Sequence, residues 1–246
     1  MNVSVFDIFA DLGHFKAPYT TTSPISLPVP SKTAVYGIIG AIIGLDKKEY
    51  LSSFQVDDCK IAIGVNRPIR KIYISENLIN TKNVNKSVMF ARLNSRKKAP
   101  RTQVKIEFLR EPGYRIYINH KDENLLRKLD GLLEEHKSVY TVSLGLSECL
   151  ANFEYSGFYK LESVENNCEF VSFDSIVPLE AIPSTADVIF DDNRYYIRAH
   201  IPLEMKPDRE LLKTGDFLIE ANGETIKAKV NAYYKICELG KNIMLF

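Results

Sequence analysis

Twelve consecutive residues, Ala34 to Leu45, carry no charge, contain three glycines and follow directly on Pro30-Ser31-Lys32-Thr33. A run like this is a short membrane segment, a buried core helix, or a helix whose N-terminus is shaped to hold something. A helical span needs about 20 apolar residues, so the membrane is excluded by length. Gly37, Gly40, Ala41 and Gly44 fall at i, i+3, i+4 and i+7 and share one face of the predicted helix. An interior glycine costs about 1 kcal/mol relative to alanine, so a face of them implies that something approaches the backbone closely. A tightly packed core explains the glycines but not the Pro-Ser-Lys-Thr that precedes them. Ser31 or Thr33 can cap the helix, and the first-turn N–H groups with Lys32 alongside would then face outward and hold an anion.

The rest of the composition is that of an ordinary globular chain: 246 residues, 45% hydrophobic and 26% charged, enough for one large domain or two modest ones. Cys59, Cys149, Cys168 and Cys237 are far apart with no C-x-x-C pair, so neither a zinc ribbon nor a thioredoxin-like site is signalled. Free thiols in a reducing cytoplasm are expected. The first residues alternate like a strand and lack the basic n-region of a signal peptide. The expectation is therefore a cytoplasmic protein with no membrane association.

Residues 2–9 read as a first strand and 11–30 as a polar, proline-rich loop. After the glycine helix, CKIAIGVNRPIRKIYIS reads as two strands joined near Asn66 and Pro68, and TQVKIEFLREPGYRIYIN as two more joined through Glu111-Pro112-Gly113. The clearest helix begins at Asp122, a natural N-cap, with Leu125, Leu126, Leu129, Leu132 and Leu133 forming one apolar stripe. A strand is expected at Tyr140 to Ser143, before the turn SLGLSE. That order predicts an α+β fold: a ferredoxin-like (RRM-like) βαββαβ domain over residues 1–150, interrupted by an insertion. Residues 151–246 predict a smaller β-rich part, with a strong hairpin signal at Asn222-Gly223 and a weaker one at Asp191-Asp192-Asn193.

Net charge is only +1, but its distribution is lopsided. From Asn77 to Ile106 there is no acid, while Lys82, Lys86, Arg92, Arg96, Lys97, Lys98, Arg101 and Lys105 supply eight positive charges and leave the remainder at −7. Val88, Met89, Phe90 and Leu93 are interleaved with them, which a merely solvated loop does not require. A basic arm that grips phosphates and inserts apolar side chains between bases or subunits fits this pattern. In that setting the glycine face could meet either a sheet or RNA.

Enzyme motifs are scarce. Pro30-Ser31-Lys32-Thr33 lacks P-loop spacing, and there is no dinucleotide fingerprint, zinc-protease motif or nucleophile elbow. The four histidines, His14, His120, His136 and His200, form no ligand set, so neither metal nor cofactor is expected. His120-Lys121 is the one pair able to act as base and oxyanion stabiliser, although at a strand-helix junction such a pair is more often a surface turn.

HFKAPYTTTSPISLPVPSKTAVYGIIGAIIGL and YTVSLGLSECLANF together resemble the CRISPR-associated subunit five family of the repeat-associated RAMP superfamily. The matching features are Phe15-Lys16 before Pro18, Pro30-Ser31 opening the helix that runs through Gly37 and Gly44, and Leu144-Gly145 followed by Ser147-Glu148. The resemblance covers residues 1 to about 155. It implies a non-catalytic subunit that caps a type I Cascade interference complex in antiviral defence and binds the 5′ handle of the CRISPR RNA. It also implies a thumb, matched by residues 77–106, that packs on the adjacent backbone subunit and kinks the RNA. Further implied partners are the large subunit that reads the PAM, the target DNA through the complex, and a separate processing nuclease.

The handle is assigned on this reading to His14, Phe15, Lys16, Ser31, Lys32, Thr33, Arg67, Ser143, Gly145 and Ser147, and adjacent phosphates to Arg92, Arg96, Lys97, Lys98 and Arg101. Phe15 and Arg67 fit ordinary packing or surface pairing equally well. The alternative is a metal-independent endoribonuclease acting on repeat RNA, since one branch of the family cuts its precursor with Tyr, Lys and His. Here His120-Lys121 has the reverse order and Ile25 stands where the tyrosine is expected.

Overall fold

A computed structural model of the chain describes residues 1–47, 49–55, 58–79, 101–166 and 169–246, a mixed α/β structure rich in sheet and poor in helix. β1 (Asn2–Ala10) and β2 (Leu12–Gly13) are followed by α1 (Lys32–Ile43), the single turn α2 (Tyr50–Ser53) and β3 (Cys59–Val65). β4 (Arg70–Ile79), β5 (Arg101–Arg110), β6 (Gly113–His120), α3 (Glu123–Glu134) and β7 (Ala151–Lys160) complete the first part. β3, β6, β1 and β7 form one antiparallel sheet in that spatial order. A helix follows β1 and another follows β6, each leading back to an outer strand.

Alternation along β1 divides its side chains between two cores. Phe6 and Ile8 join Ile61, Ile63, Ile116 and Ile118 beneath α1 and α3, and Ser4 on that face donates to Asp130 of α3 at 3.0 Å. Val3 and Val5 turn to the opposite face with Ala62 and Tyr117, where Leu161, Ile236 and Ile243 cover them. On that same face Asp7 receives two hydrogen bonds from Arg115, each 2.7 Å.

β4 and β5 leave this sheet altogether. They pair with one another from Arg70↔Arg110 to Ile79↔Arg101, and β2 pairs with the root of β5. The expected strands at both junctions are present. Asn66 to Ile69 and Glu111-Pro112 are the exit and return of a long hairpin, whose basic segment at 80–100 lies outside the described residues.

β8 (Glu162–Glu165), β9 (Val171–Phe173), β10 (Val177–Pro178), β11 (Val188–Ile189), β12 (Tyr196–Met205), β13 (Leu211–Glu220), β14 (Ile226–Ala228), β15 (Ala232–Ile236) and β16 (Lys241–Ile243) make up the C-terminal part. They assemble as β10-β13-β12, β11-β14-β9 and β16-β15-β8. Ala199, Ile201 and Leu203 of β12 and Phe217 and Ile219 of β13 join the core that contains α1. α1 is thus covered by the sheet, by α3 and by β12, which explains why it is apolar nearly all round.

Three expectations about strands are corrected. Tyr140 to Ser143 is not a strand, because its backbone is used elsewhere: Val139 and Tyr140 donate N–H bonds to the Ile42 and Ala41 carbonyls and finish α1. The fourth strand is β7, which begins at 151 and pairs with β1, so the sheet continues past the expected boundary at 150. Asn222-Gly223 does form a turn, with Gly223 at φ +90, but it sends β13 and β14 to different sheets. Glu220, buried beside it, accepts from the Asn222, Glu224 and Tyr195 N–H groups and stabilises the turn without strand pairing. Asp191-Asp192-Asn193 likewise joins strands of different sheets, and the true hairpin is β12–β13.

At α3, Asp122 accepts from the Asn124 and Leu125 N–H groups as expected, and Leu126, Leu129 and Leu133 are buried. Replacing Asp122 by Ala should cost about 1 kcal/mol of unfolding free energy. Leu129→Ala, which opens a cavity between helix and sheet, should cost about 2–5 kcal/mol. Urea denaturation of the two variants checks that order.

Candidate nucleic-acid interface

The helix α1 is capped by Ser31, whose Oγ accepts the Ala34 N–H at 3.1 Å, and Thr33 contacts Ser31 through a 3.0 Å hydroxyl pair. Ser31, Lys32 and Thr33 are all buried, so the helix start does not present a free crown of N–H groups to solvent as the sequence suggested. The accessible strip of α1 is instead its small face, where Ala34, Gly37 and Ala41 are half-buried. This strip is the floor of a groove of about 540 Å³. Thr33 lies at one end. Leu45, Asp46, Lys47, Tyr50, Tyr140, Thr141, Ser143, Gly145 and Arg209 line its sides.

The glycines serve different ends. Gly44 adopts φ +86 and terminates α1, donating its N–H to the Gly40 carbonyl. A Cβ on Gly40 would come 3.0 Å from the Cβ of Tyr50, whereas one on Gly37 meets only the Tyr50 ring at 3.9 Å. Gly40 therefore lets Tyr50 close against the helix, and Gly37 keeps the groove floor low.

Gly145 is the most constrained of the set. Its φ is +93, and an added Cβ would stand 1.9 Å from the His14 carbonyl oxygen. Leu144 beside it is buried in the core and accepts the His14 N–H at 2.9 Å. The turn and the segment after β2 are therefore pressed together, leaving Ser143 half-buried and Gly145 exposed at the groove.

Of the sequence-assigned residues, Thr33, Ser143 and Gly145 converge here. His14 and Phe15 do not, because both are inside the protein. His14 donates from Nδ1 to the Glu107 carbonyl at 2.7 Å, and Phe15 meets Tyr114 edge-on at 6.1 Å, so both side chains are engaged in packing and neither reaches the groove. Lys16 is exposed on a bridge to Ser26, and Ser147 is exposed but bonded to Glu148. Arg67 lies over Phe9, 4.9 Å from the ring centroid, in a separate depression with Asp11 and Asn152. Lys32 turns into yet another cavity. Arg101 begins β5 in an exposed position, and Arg92, Arg96, Lys97 and Lys98 lie outside the described residues. Arg209 and Lys47 were missed. They reach the groove from loops remote in sequence, and no local pattern marks them.

The pair His120-Lys121 is occupied structurally. The His120 Nδ1 accepts the Asp122 N–H at 2.9 Å, which leaves Nε2 to donate to the Ser53 carbonyl at 3.0 Å. Lys121 lies 3.3 Å from Asp58. Among the described residues no group of His, Cys, Asp and Glu could hold a metal, and no helix is long and apolar enough to cross a membrane.

At the root of the hairpin, Glu107 is buried on β5 yet charged. Burial pushes its carboxyl up, but hydrogen bonds from Lys71 and Tyr73, each 2.8 Å, and from the Ser26 N–H outweigh it and hold the group below the usual glutamate value.

The sequence matches, over residues 5–210, the family described as CRISPR-associated protein (Cas_Cas5). The chain belongs to the Cas5 family. The matched span includes α1, the turn at Gly145, the β4–β5 hairpin and Arg209, and so every wall of the groove. No curated protein matches the sequence. Among solved structures, a CRISPR protein from Archaeoglobus fulgidus is similar in fold at a TM-score of 0.53 and 15% identity, covering 99% of this chain and 98% of that one. A chain of a CRISPR RNA-guided surveillance complex is similar at 0.52 and 12% identity, covering 93% and 90%.

Gly145→Ala should lose about 1–3 kcal/mol or more, since both the left-handed backbone and the His14 contact oppose a side chain. A lowered midpoint in thermal unfolding is the expected reading. Because the folded Glu107 pKa is depressed, its contribution to stability is complete above the ordinary value of 4.5 and is lost as pH falls through the lower folded value. Denaturation from about pH 6 to about pH 3 should show an acid loss that is shallower in Glu107→Gln.

Proposed function

We propose that this Cas5-family chain is a non-catalytic, RNA-binding subunit of a type I CRISPR effector complex that caps the assembly and holds the 5′ handle of the CRISPR RNA. The observation that carries the reading is the groove. Its floor is a strip of small residues low enough for a ribose-phosphate backbone to lie against, with Thr33 and Ser143 as hydrogen-bonding groups, Tyr50 and Tyr140 as flat side chains, and Arg209 and Lys47 for phosphate. Single-stranded RNA is recognised through phosphates, splayed bases and 2′-hydroxyls, and these residue types serve all three.

Several observations support the rest of the reading. The sheet order β3-β6-β1-β7, with a helix following β1 and another following β6, supports reading this part as a ferredoxin-like (RRM-like) unit. The β4–β5 hairpin inserted between its second and third strands is the thumb, which carries the basic stretch to the adjacent backbone subunit. The large PAM-reading subunit, the target DNA and a separate processing nuclease are the remaining partners, and the reading calls for no cofactor. Non-cutting is favoured by His120, both of whose ring nitrogens are committed to backbone partners.

Handle RNA should bind with an affinity that falls steeply with salt. Each lost phosphate contact reduces the slope of log affinity against log salt by about 0.7 for single strands. Lys47→Ala with Arg209→Ala should therefore flatten it by about 1.4, and Lys97, Lys98 and Arg101 together changed to Ala by about 2. Unchanged slopes in fluorescence anisotropy titrations would remove the phosphate-gripping role. Repeat RNA incubated without divalent metal should stay intact, and specific cleavage abolished by His120→Ala would overturn the non-catalytic assignment.

A further inference from the structure

The side chain of Lys32 has no place in the groove. It lines a separate cavity of about 580 Å³ together with Lys60, Lys121, Asn119, Asp58 and Leu245. Lys32 is only 3% exposed, and its ammonium has neither a hydrogen bond nor an ion pair among the described residues. Its nearest ring partner, Tyr36, is 5.9 Å away at the centroid. The Nζ itself opens on the cavity, and burial of the side chain holds the ammonium below the usual lysine value.

The surrounding residues accentuate the imbalance. Lys60 and Asn119 are register partners across β3 and β6, and Lys121 follows directly. Asp58 is the one acidic side chain lining the cavity and is already engaged with Lys121 at 3.3 Å, while Lys60 reaches only the Tyr234 hydroxyl at 3.4 Å; Met1 and Phe246 complete the lining. Three lysine side chains therefore face a space with one side-chain carboxylate, and Leu245 adds an apolar wall. The volume lies within the range of small-molecule sites.

We propose that this cavity is a phosphate-binding site, with Lys32 as its buried anchor and Lys60 and Lys121 at its rim, taking the phosphate group of a mononucleotide or of a nucleic-acid end. The inference is independent of the groove, because it rests on residues that the groove does not use.

Calorimetric titration of the full chain at low ionic strength tests it, with inorganic phosphate, 5′-AMP and adenosine as probes. Phosphate and 5′-AMP should bind and adenosine should not. Lys32→Met should weaken both by about tenfold and raise the melting temperature of the free protein, whereas Lys227→Met, on the open surface, should change neither. Short RNAs with a 5′-phosphate or a 5′-hydroxyl separate the sources: preference for the phosphorylated chain assigns the site to an RNA end, and binding of 5′-AMP alone assigns it to a nucleotide. No phosphate-dependent heat in the wild type, or unchanged affinity in Lys32→Met, would overturn the proposal. Should Lys32→Met fail to fold, Lys60→Met and Lys121→Met replace it, and unchanged phosphate affinity in both would refute the site.

Discussion

Burial of α1 on several sides is the constraint from which the other features follow. Its isoleucines meet the central sheet and α3, and Ala199, Ile201 and Leu203 of β12 join the same core. A helix so enclosed has few free directions for its terminal backbone groups, so both ends are closed by protein. Ser31 accepts the Ala34 N–H at the first turn, and Val139 and Tyr140 supply N–H groups to the last one. Tyr140 is the first residue of the strand that local pattern suggested, and Val139 immediately precedes it. The strand is absent because the helix end has the stronger claim on the same donors.

Enclosure also decides where a ligand can approach. With the helix start covered and the bulky faces packed, the one accessible strip is the one too small to fill its space. Tyr50 closes on Gly40 and stops short of Gly37, and the Gly145 turn and Arg209 complete the lining. A groove appears where a side chain is missing from a packed surface. Its floor is backbone and methyl groups, chemically permissive, and its selectivity must come from the walls.

The helices, the strands and the inserted hairpin could be read from periodicity because each is a local property of alternating or stripe-forming side chains. The glycine face and the Asp122 cap were legible for the same reason. What could not be read was partnership. β3 and β4 are adjacent in sequence yet pair with β6 and β5 respectively, and Asn222-Gly223 has hairpin chemistry without a hairpin, since Glu220 satisfies the turn by itself. At the groove, Thr33, Ser143 and Gly145 come together from segments that the sequence motif had singled out. His14 and Phe15 belong to the same motif but are interior, and Arg209 and Lys47 have no motif at all.

The buried members of that motif have a mechanical role that links the hairpin to the groove. A hairpin loaded with like charge repels itself, and its two strands need a firm root. Glu107 provides one, joining Lys71 and Tyr73 of β4 to the Ser26 backbone from the middle of β5. The Glu107 carbonyl accepts from His14, and the His14 carbonyl is the surface against which Gly145 fits. Phe15, between them, is wedged edge-on against Tyr114 of the central sheet. Hairpin root, interior histidine and groove turn are therefore consecutive members of one packed chain of contacts. A polyanion that neutralised the hairpin and occupied the groove would act on both ends of this chain, so residues conspicuous in sequence need not line the groove to govern its shape.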